Sequence, residues 1–232
     1  MPLQFSFAPP PPVTVPVLDG TRFPVRRIFC IGRNYADHVR EMGGDPKADP
    51  PVFFSKPADA AVVDGASVAY PMGTSNLHYE GELVIALGAG GSQLQTREEA
   101  GSLVFGQACG CDLTRRDLQA VAKKQGSPWD SAKGFDASAP LGAIAPISAV
   151  SPAQMDSARL VVTVDGQERQ NAPLASMIWT VPEIIMALSE LFALQAGDLI
   201  FTGTPEGVGP LQRGESVRVA IGALPELAFS IT

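Results

Sequence analysis

Short apolar stretches, several with polar residues at every second position, recur along the chain and predict more strands than helices. Strands are expected at residues 27–31, 52–56, 77–87, 105–112, 160–167 and 198–202. The segment 160–167 contains an Asp-Gly pair at 165–166, which predicts a hairpin turn. Because the predicted strands do not alternate regularly with helices, the pattern favours an α+β fold with mixed or antiparallel sheets over a doubly wound parallel sheet.

Polar residues at capping positions predict three helices. The side chain of a cap residue accepts hydrogen bonds from the free N–H groups of the first helical turn. A Glu three residues later can in turn accept a hydrogen bond from the backbone N–H of the cap residue. The predicted helix starts are Thr96 with Glu99, Thr114 with a helix running to Gln125, and Thr180 with Glu183 and an end near Ala193.

The first 24 residues differ from the rest of the chain in their content of proline, with four prolines in a row at 9–12. Such a composition predicts an extended N-terminal segment rather than a domain. Residues 25–232 contain no internal repeat and no obvious linker. We therefore expect them to form one domain.

Composition narrows the function. The chain has 232 residues, of which 45% are apolar and 18% charged, as in an ordinary globular protein. Its net charge of −7 argues against nucleic acid and anionic membranes as partners, because both need clustered basic side chains. The N-terminus lacks the basic start of an export signal, and no apolar run approaches the roughly 20 residues that span a bilayer. These features predict a cytoplasmic protein.

Two glutamates one residue apart, Glu80 and Glu82, interrupt an otherwise apolar strand. Side chains repeat with period two on a strand, so both carboxylates face the same way and repel each other unless a cation lies between them. Asp112 follows another predicted strand. Three carboxylates make an all-oxygen ligand set suited to Mg²⁺, Mn²⁺ or Ca²⁺. The alternative is that the glutamates face solvent and that Asp112 only caps the next helix.

The chain has only two histidines, and one of them suggests base catalysis. His38 and Glu41 lie in a polar run, 34–41, that predicts one or two helical turns and puts both side chains on one face. A carboxylate can orient an imidazole for general-base work on water, although exposed pairs of this kind are also common without a role. Lys133, in a predicted glycine-rich loop, could stabilise an oxyanion or could be an ordinary surface lysine.

A glycine-rich loop at 203–209 follows the predicted strand 198–202. It lacks the Lys-Ser/Thr ending of a phosphate-binding loop. Its backbone amides and the hydroxyl of Thr204 could instead bind a substrate carboxylate.

Six stretches in chain order resemble the fumarylacetoacetate hydrolase family: residues 31–42, 54–57, 77–83, 111–117, 132–135 and 202–209. The resemblance implies a mixed β-sandwich roll and a homodimer. It also implies that Glu80, Glu82 and Asp112 bind one Mg²⁺ or Mn²⁺. The length of the chain leaves no room for a separate N-terminal barrel, so the similarity is to members that consist of the catalytic domain alone, such as the fumarylpyruvate hydrolases and acylpyruvases.

The same resemblance implies roles for further residues. His38 and Glu41 would activate water on a mobile lid. The expected substrate contacts are Lys133, Arg33, Arg116, Gln119 and Thr204. A second carboxylate on the substrate needs a cation, and the candidates for this contact are Arg33, Arg115, Arg116 and Lys123.

The expected reaction is hydrolysis of a carbon–carbon bond in a 2,4-dioxo acid. Fumarylpyruvate, cleaved to fumarate and pyruvate in the gentisate route of aromatic catabolism, is the substrate that the resemblance favours. Three alternatives use the same metal and enolate chemistry: hydrolysis of other acylpyruvates, decarboxylation of oxaloacetate and isomerisation of a 2-hydroxydienoate. A more distant alternative is a protein that binds a metal or ligand without catalysis.

Overall fold

The structure, a computed structural model, describes residues 5–36, 51–63 and 65–232. Within these residues the first nine strands are β1 Thr14–Pro16, β2 Arg22–Pro24, β3 Arg27–Gly32, β4 Val52–Lys56, β5 Ala61–Val63, β6 Ser67–Val68, β7 Leu77–Tyr79, β8 Gly81–Leu87 and β9 Val104–Cys111. The next nine are β10 Thr114–Arg115, β11 Ala139–Leu141, β12 Ala145–Pro146, β13 Arg159–Val164, β14 Gln167–Pro173, β15 Asp198–Phe201, β16 Gly209–Pro210, β17 Ser216–Ile221 and β18 Leu227–Ile231.

The α-helices of the described residues are short and few. They are α1 Arg97–Ser102, α2 Arg116–Gln125, α3 Asp130–Lys133, α4 Pro152–Asp156 and α5 Val181–Leu191. Single 3₁₀ turns occupy Ala58–Ala60, Ile147–Ala149 and Leu174–Ser176. No helix among the described residues is long and apolar enough to cross a membrane.

Two larger sheets carry most of the structure. The first has eight strands in the order β4-β3-β15-β8-β9-β11-β5, with β12 paired to β9, and the second has the order β14-β13-β17-β18-β6. Strand pairs β3/β15, β5/β11 and β6/β18 are parallel, whereas the other pairs in these sheets are antiparallel. The predicted α+β fold with mixed sheets is therefore confirmed.

Strand β8 lies in the middle of the eight-stranded sheet and is buried on both faces. Leu83, Ile85 and Leu87 pack into the larger hydrophobic core, which also contains residues of the five-stranded sheet. Val84 and Ala86 pack into a second core on the opposite face. Because side chains alternate along a strand, Glu82 points to the same face as Val84 and Ala86.

The predicted hairpin and two of the three predicted caps agree with the structure. The hairpin β13/β14 turns at Asp165 and Gly166, both of which have positive φ, as a tight hairpin turn requires. Thr96 and Glu99 form a capping box at α1. At α5 the Glu183 carboxylate accepts hydrogen bonds from the N–H and hydroxyl of Thr180. Helix α5 ends at Leu191, two residues before the predicted end.

The prediction that Thr114 caps a helix is wrong. Thr114 belongs to strand β10, where it pairs with His78 of β7, and helix α2 begins at Arg116 with Arg115 as its N-cap. The backbone of Thr114 is used by the sheet, so the residue cannot supply a helix start. Its hydroxyl instead lies within the candidate site described below.

Part of the proline-rich N-terminal segment forms a hairpin. Strands β1 and β2 pair in antiparallel register, with Val15 opposite Phe23. Both side chains are buried in the second hydrophobic core together with Val17. The extended segment therefore contributes apolar surface to the face of the eight-stranded sheet toward which Glu82 points.

Candidate active site

Three buried carboxylates meet where β8 and β9 pair, and we call them the carboxylate cluster: Glu80, Glu82 and Asp112. Glu82 lies opposite Gly110 in the antiparallel register. The N–H of Asp112 donates to the carbonyl oxygen of Glu80 at 2.8 Å, which continues the ladder by one pair. One oxygen from each carboxylate lies within 4.8 Å of the others. The strand register therefore brings the three side chains together, as the sequence predicts.

Gly81, between the two glutamates, lies where the two large sheets touch. A Cβ atom at this position would lie only 2.2 Å from Cγ2 of Val162 on β13. The Gly81 N–H donates to Oε1 of Gln170, a buried residue of β14, at 3.0 Å. The hairpin β13/β14 thus supports the strand that carries the glutamates.

Lys133 joins two members of the carboxylate cluster. Its Nζ donates to Oε2 of Glu80 at 2.7 Å, to Oδ2 of Asp112 at 2.6 Å and to the hydroxyl of Thr114 at 2.7 Å. Burial alone would lower the pKa of Lys133, but the carboxylates of Asp112 and Glu80 outweigh it and raise that pKa. The residue therefore carries a charge, and it ends the one-turn helix α3 rather than lying in the loop predicted from the sequence.

A second buried lysine, Lys56 at the end of β4, supports the same group. Its Nζ lies 2.8 Å from Oδ1 of Asp112 as an ion pair without hydrogen-bond geometry. It donates instead to the carbonyl oxygen of Leu113 at 3.2 Å and to that of Lys133. Lys56 thus ties β4 to both the carboxylate cluster and α3.

Glu82 differs from the other two carboxylates because it forms no ion pair within the described ranges. Its Oε2 accepts the N–H of Gly203 at 2.7 Å. Burial, followed by the nearby charges of Asp112 and Glu80, raises the pKa of Glu82 well above its usual value. Gly203 has a φ of 95°, and a Cβ there would lie 2.7 Å from that of Asn34, so only glycine fits at this contact.

The residues fit a divalent cation. The donor set contains only carboxylate oxygens, which suit Mg²⁺ or Mn²⁺ better than zinc. The buried Glu82 carboxylate, whose charge is disfavoured as described above, is the group that gains most from a nearby cation. Glu80, Glu82 and Asp112 are the residues that would hold the ion.

Arg116 and Gln119 form a pair at the start of α2. Nη1 of Arg116 donates to Oε1 of Gln119 at 2.6 Å, and Nη2 donates to Oε1 of Glu80. Gln119 is buried, and its amide nitrogen makes no hydrogen bond within the described part of the chain. That nitrogen is a donor available to a ligand.

Thr204 lies in the loop after β15 and is buried. Its hydroxyl accepts a hydrogen bond from Nε2 of Gln170 at 2.8 Å, and the same nitrogen donates to the carbonyl oxygen of Pro205 at 2.8 Å. One side chain, Gln170, therefore supports both the glutamate strand and the loop that holds Thr204.

The remaining predicted cations lie farther out. Arg33 is exposed and has a left-handed backbone, with a φ of 64°. Arg115 donates to the carbonyl oxygen of Ser131 at 3.1 Å and stacks over Phe135. Lys123 is solvent-accessible. His38 and Glu41 fall on residues outside those that the structure describes.

Comparison with known proteins identifies the chain's relatives. The sequence profile for the fumarylacetoacetate (FAA) hydrolase C-terminal family matches residues 27–232. The chain belongs to the fumarylacetoacetate hydrolase family. A crystal structure of fumarylpyruvate hydrolase from Pseudomonas aeruginosa, in complex with Mn²⁺ and pyruvate, superposes with a TM-score of 0.95 at 46% identity and covers 99% of both chains.

Two curated members of the family are also similar to this chain. Fumarylpyruvate hydrolase of Ralstonia sp is 38% identical over 190 residues, which are 81% of this chain and 95% of the relative. The mitochondrial oxaloacetate tautomerase FAHD1 of Bos taurus is 38% identical over 208 residues, which are 89% of this chain and 91% of the relative.

Three buried polar residues around the candidate site of this protein were not predicted from the sequence: Lys56, Gln170 and Asn34. Asn34 donates to the carbonyl oxygen of Thr202 at 2.7 Å and accepts the N–H of Trp179 at 2.7 Å, so it orders the chain next to Gly203. Lys56 and Asn34 both lie within the stretches that resemble the family motifs, and this position could have indicated that they belong to the site. Gln170 lies on the buried face of β14, a strand whose residues are mostly polar, and the sequence there contains no such signal.

Proposed function

We propose that this protein is a hydrolase, dependent on a divalent metal, that cleaves a carbon–carbon bond in a 2,4-dioxo acid. Fumarylpyruvate, which yields fumarate and pyruvate, is the proposed substrate. The observation that carries the proposal is the buried carboxylate cluster, with one oxygen from each member within 4.8 Å of the others. The high similarity to a fumarylpyruvate hydrolase solved with Mn²⁺ and pyruvate supports both the metal and the substrate class.

The metal, held by the carboxylate cluster, would supply positive charge where the departing pyruvate carries its negative charge. His38, oriented by Glu41, is proposed to take the proton from the water that attacks the C4 carbonyl. Proton transfer of this kind contributes typically about 10²- to 10⁴-fold to the rate.

Lys133 is proposed to stabilise the oxyanion that the attack forms. An ammonium has three donors, and in the structure they contact Glu80, Asp112 and Thr114. Lys133 must therefore release one of these acceptors before it can donate to the substrate. The Thr114 hydroxyl is the neutral acceptor of the three, and its release costs the least charge stabilisation.

Arg116, Gln119, Thr204 and Arg33 are proposed as further substrate contacts. Arg116 holds the carbonyl oxygen of the Gln119 side chain, which directs the amide nitrogen of Gln119 away from that contact. Gln170 holds the Thr204 hydroxyl as an acceptor, so the Thr204 proton can be donated to a carboxylate or carbonyl group of the substrate.

Product analysis tests the proposal. Protein loaded with Mn²⁺ is incubated with fumarylpyruvate, and fumarate and pyruvate are quantified by chromatography. We expect equal amounts of both products, loss of turnover with EDTA and recovery with Mn²⁺ or Mg²⁺. The variant Glu82→Gln should be inactive, and Glu190→Gln, which changes an exposed glutamate on α5, should behave as wild type. Turnover that resists EDTA, or no turnover of any 2,4-dioxo acid, would contradict it.

Tautomerisation of oxaloacetate is the second candidate, because a curated relative with 38% identity over most of the chain is an oxaloacetate tautomerase. The proposed dyad of His38 and Glu41 favours hydrolysis over decarboxylation, which needs no activated water. Tautomerisation also uses a general base, so the assay must separate it from hydrolysis. Fumarylpyruvate, neutral acylpyruvates, oxaloacetate and a 2-hydroxydienoate are offered side by side, and kcat/KM is compared. A higher value for oxaloacetate, measured as keto–enol conversion or as decarboxylation, would replace the hydrolase proposal.

The assembly, location and pathway also remain proposals. The family resemblance supports a homodimer, for which light scattering should give about twice the chain mass. We further propose that residues 25–232 are the catalytic domain, that the protein acts in the cytoplasm, and that it serves a gentisate-type pathway of aromatic catabolism. Fractionation of the native cells and accumulation of fumarylpyruvate on deletion of the gene would test the last two.

A further inference from the structure

An open cavity of about 350 Å³ borders Lys133, and we call it the outer cavity. Phe54 of β4 and Trp129, the residue before α3, form its aromatic walls. The two rings lie 5.7 Å apart between centroids with an interplanar angle of 55°. Rings in this arrangement offer flat apolar surface to an unsaturated carbon chain.

An ammonium group lies over each of these rings. Nζ of Lys133 is 4.9 Å from the centroid of Phe54, and Nζ of Lys123 is 5.4 Å from the centroid of Trp129. The aromatic pair therefore connects two cations. One contacts the carboxylate cluster, and the other lies at the surface of α2.

The two ammonium groups differ in their counter-charges. Lys133 contacts two carboxylates, whereas Lys123 forms no ion pair within the described part of the chain. Partial burial of the ammonium and the positive charge of Arg116 lower the pKa of Lys123 to about 8, while Glu80 opposes and Arg33 adds to this effect. Asp130 also lines the outer cavity but forms no ion pair with Lys123 within the described residues, so the ammonium of Lys123 is a charge that an anionic group would offset.

Two of the other predicted partners of a distal carboxylate have contacts elsewhere. Arg116 is held by Glu80 and Gln119. Arg115 contacts Ser131 and stacks over Phe135. Lys123 is a candidate that the structure places over the ring of Trp129, which lines the outer cavity.

We propose that Lys123 and the ring of Trp129 bind the distal carboxylate of the substrate, so that the protein selects dicarboxylic acylpyruvates over acylpyruvates with a neutral acyl chain. This inference rests on the proposed hydrolase function and specifies its substrate. The unsaturated chain lies along Phe54 and Trp129, and the carboxylate at its end pairs with the ammonium of Lys123.

The test compares two substrates and three variants. The substrates are fumarylpyruvate, which has a distal carboxylate, and acetylpyruvate, which has none. Lys123→Met should lower kcat/KM for fumarylpyruvate by about tenfold and leave that for acetylpyruvate unchanged. Lys123→Arg should retain the preference. Lys124→Met, which removes a neighbouring exposed lysine, should match the wild type on both substrates.

The result that overturns the inference is an equal effect of Lys123→Met on both substrates, or no effect on either. If the wild type cleaves neither substrate, the hydrolase proposal fails, and calorimetry on the protein loaded with Mn²⁺ then decides the inference separately. Fumarate should bind more tightly than crotonate, its analogue without the second carboxylate, and Lys123→Met should weaken only fumarate by about tenfold. Equal affinities for the two acids would exclude the subsite.

Discussion

The carboxylate cluster and the outer cavity differ in whether their lysines have carboxylate partners. In the cluster, Lys56 and Lys133 are buried and each lies within hydrogen-bonding distance of a carboxylate. At the outer cavity, Lys123 is solvent-accessible and lies over an aromatic ring without a carboxylate partner among the described residues. In the first region Glu82 is the carboxylate that forms no ion pair among the described residues, whereas in the second region the group without an ion pair is a cation.

This difference separates the chemistry from the choice of substrate. Removing one partner of a buried ion pair leaves an uncompensated charge, so the cluster tolerates little change. Lys123 is only partly buried and has no ion-pair partner among the described residues, so it can be replaced at low cost. We therefore expect family members with different substrates to share the first region and to differ in the second.

The largest expected effect is that of Glu82→Gln, which breaks the cluster at the carboxylate that forms no ion pair within the described ranges. Metal binding to the protein should be lost. The charge stabilisation that a metal supplies is worth several kcal/mol, so kcat/KM should fall by about 10³-fold or more. Mn²⁺ binding is measured by electron paramagnetic resonance with Glu190→Gln as the control. Retention of Mn²⁺ affinity in Glu82→Gln would remove Glu82 from the ligand set.

His38→Ala tests whether turnover can be lost while the cluster stays intact. If His38 is the general base, kcat should fall by about 10²- to 10⁴-fold and Mn²⁺ affinity should be unchanged. Single-turnover assays and a Mn²⁺ titration measure the two quantities on the same preparation. An equal loss of both would assign His38 to the metal site instead.

Lys56→Met tests how strongly the cluster depends on its buried cations. The change leaves Asp112 with one ammonium instead of two, and the free energy of unfolding should fall by about 3 kcal/mol. Urea denaturation of the metal-free protein measures this, with Lys124→Met as a matched control on the surface. A loss of less than 1 kcal/mol, within the range of exposed ion pairs, would show that Lys56 contributes little to the cluster.

Gln170→Ala removes the side chain that connects the cluster's strand to the Thr204 loop. The Gly81 N–H would remain buried without its acceptor, at a cost of about 1–3 kcal/mol in the free energy of unfolding. KM for fumarylpyruvate should also rise, because the Thr204 hydroxyl loses its partner. Gln167→Ala, at the exposed start of β14, is the control in the same denaturation series. Equal stability of the two variants would contradict the assigned support.

The smallest expected effect is a change of substrate preference with pH, which tests the role of Lys123 at the outer cavity. The pKa of Lys123 is about 8, and Arg116, Glu80, Arg33 and Lys133 are the charged groups that act on it. The ammonium is protonated below that pH and neutral above it, so the preference for fumarylpyruvate over acetylpyruvate should fall, by up to about tenfold, as the pH rises through 8. The ratio of kcat/KM values is measured from pH 6.5 to 9.5. Lys123→Arg should make the ratio independent of pH in this range.

The cluster was predictable from the sequence because it depends on strand periodicity. Glu80 and Glu82 share a face in any strand that contains both, and Asp112 joins them because β9 pairs with β8 in the register observed. The family motifs then distinguished this arrangement from exposed glutamates. The mixed-sheet fold followed in the same way, from the excess of strands over helices.

Tertiary contacts account for what could not be predicted. Thr114 has the residue type of a cap, but its pairing with His78 on β7 takes precedence over that local preference. Lys56 ends a strand, where a lysine normally reaches solvent, and only the packing of α3 against β4 explains its burial. The relation between Lys123 and Trp129 depends on how α2 and the segment before α3 meet, which leaves no periodic signal in the sequence.

The absence of a side chain at position 81 has a mechanical consequence. Val162 occupies the space that a methyl group would need, so an alanine there would push the glutamate strand away from the second sheet. Because Glu80 and Glu82 flank this residue, the displacement would shift both carboxylates together relative to Asp112. The packing of the hairpin β13/β14 against Gly81 therefore fixes the distance between the three carboxylates, and with it the size of the ion that their oxygens can bind.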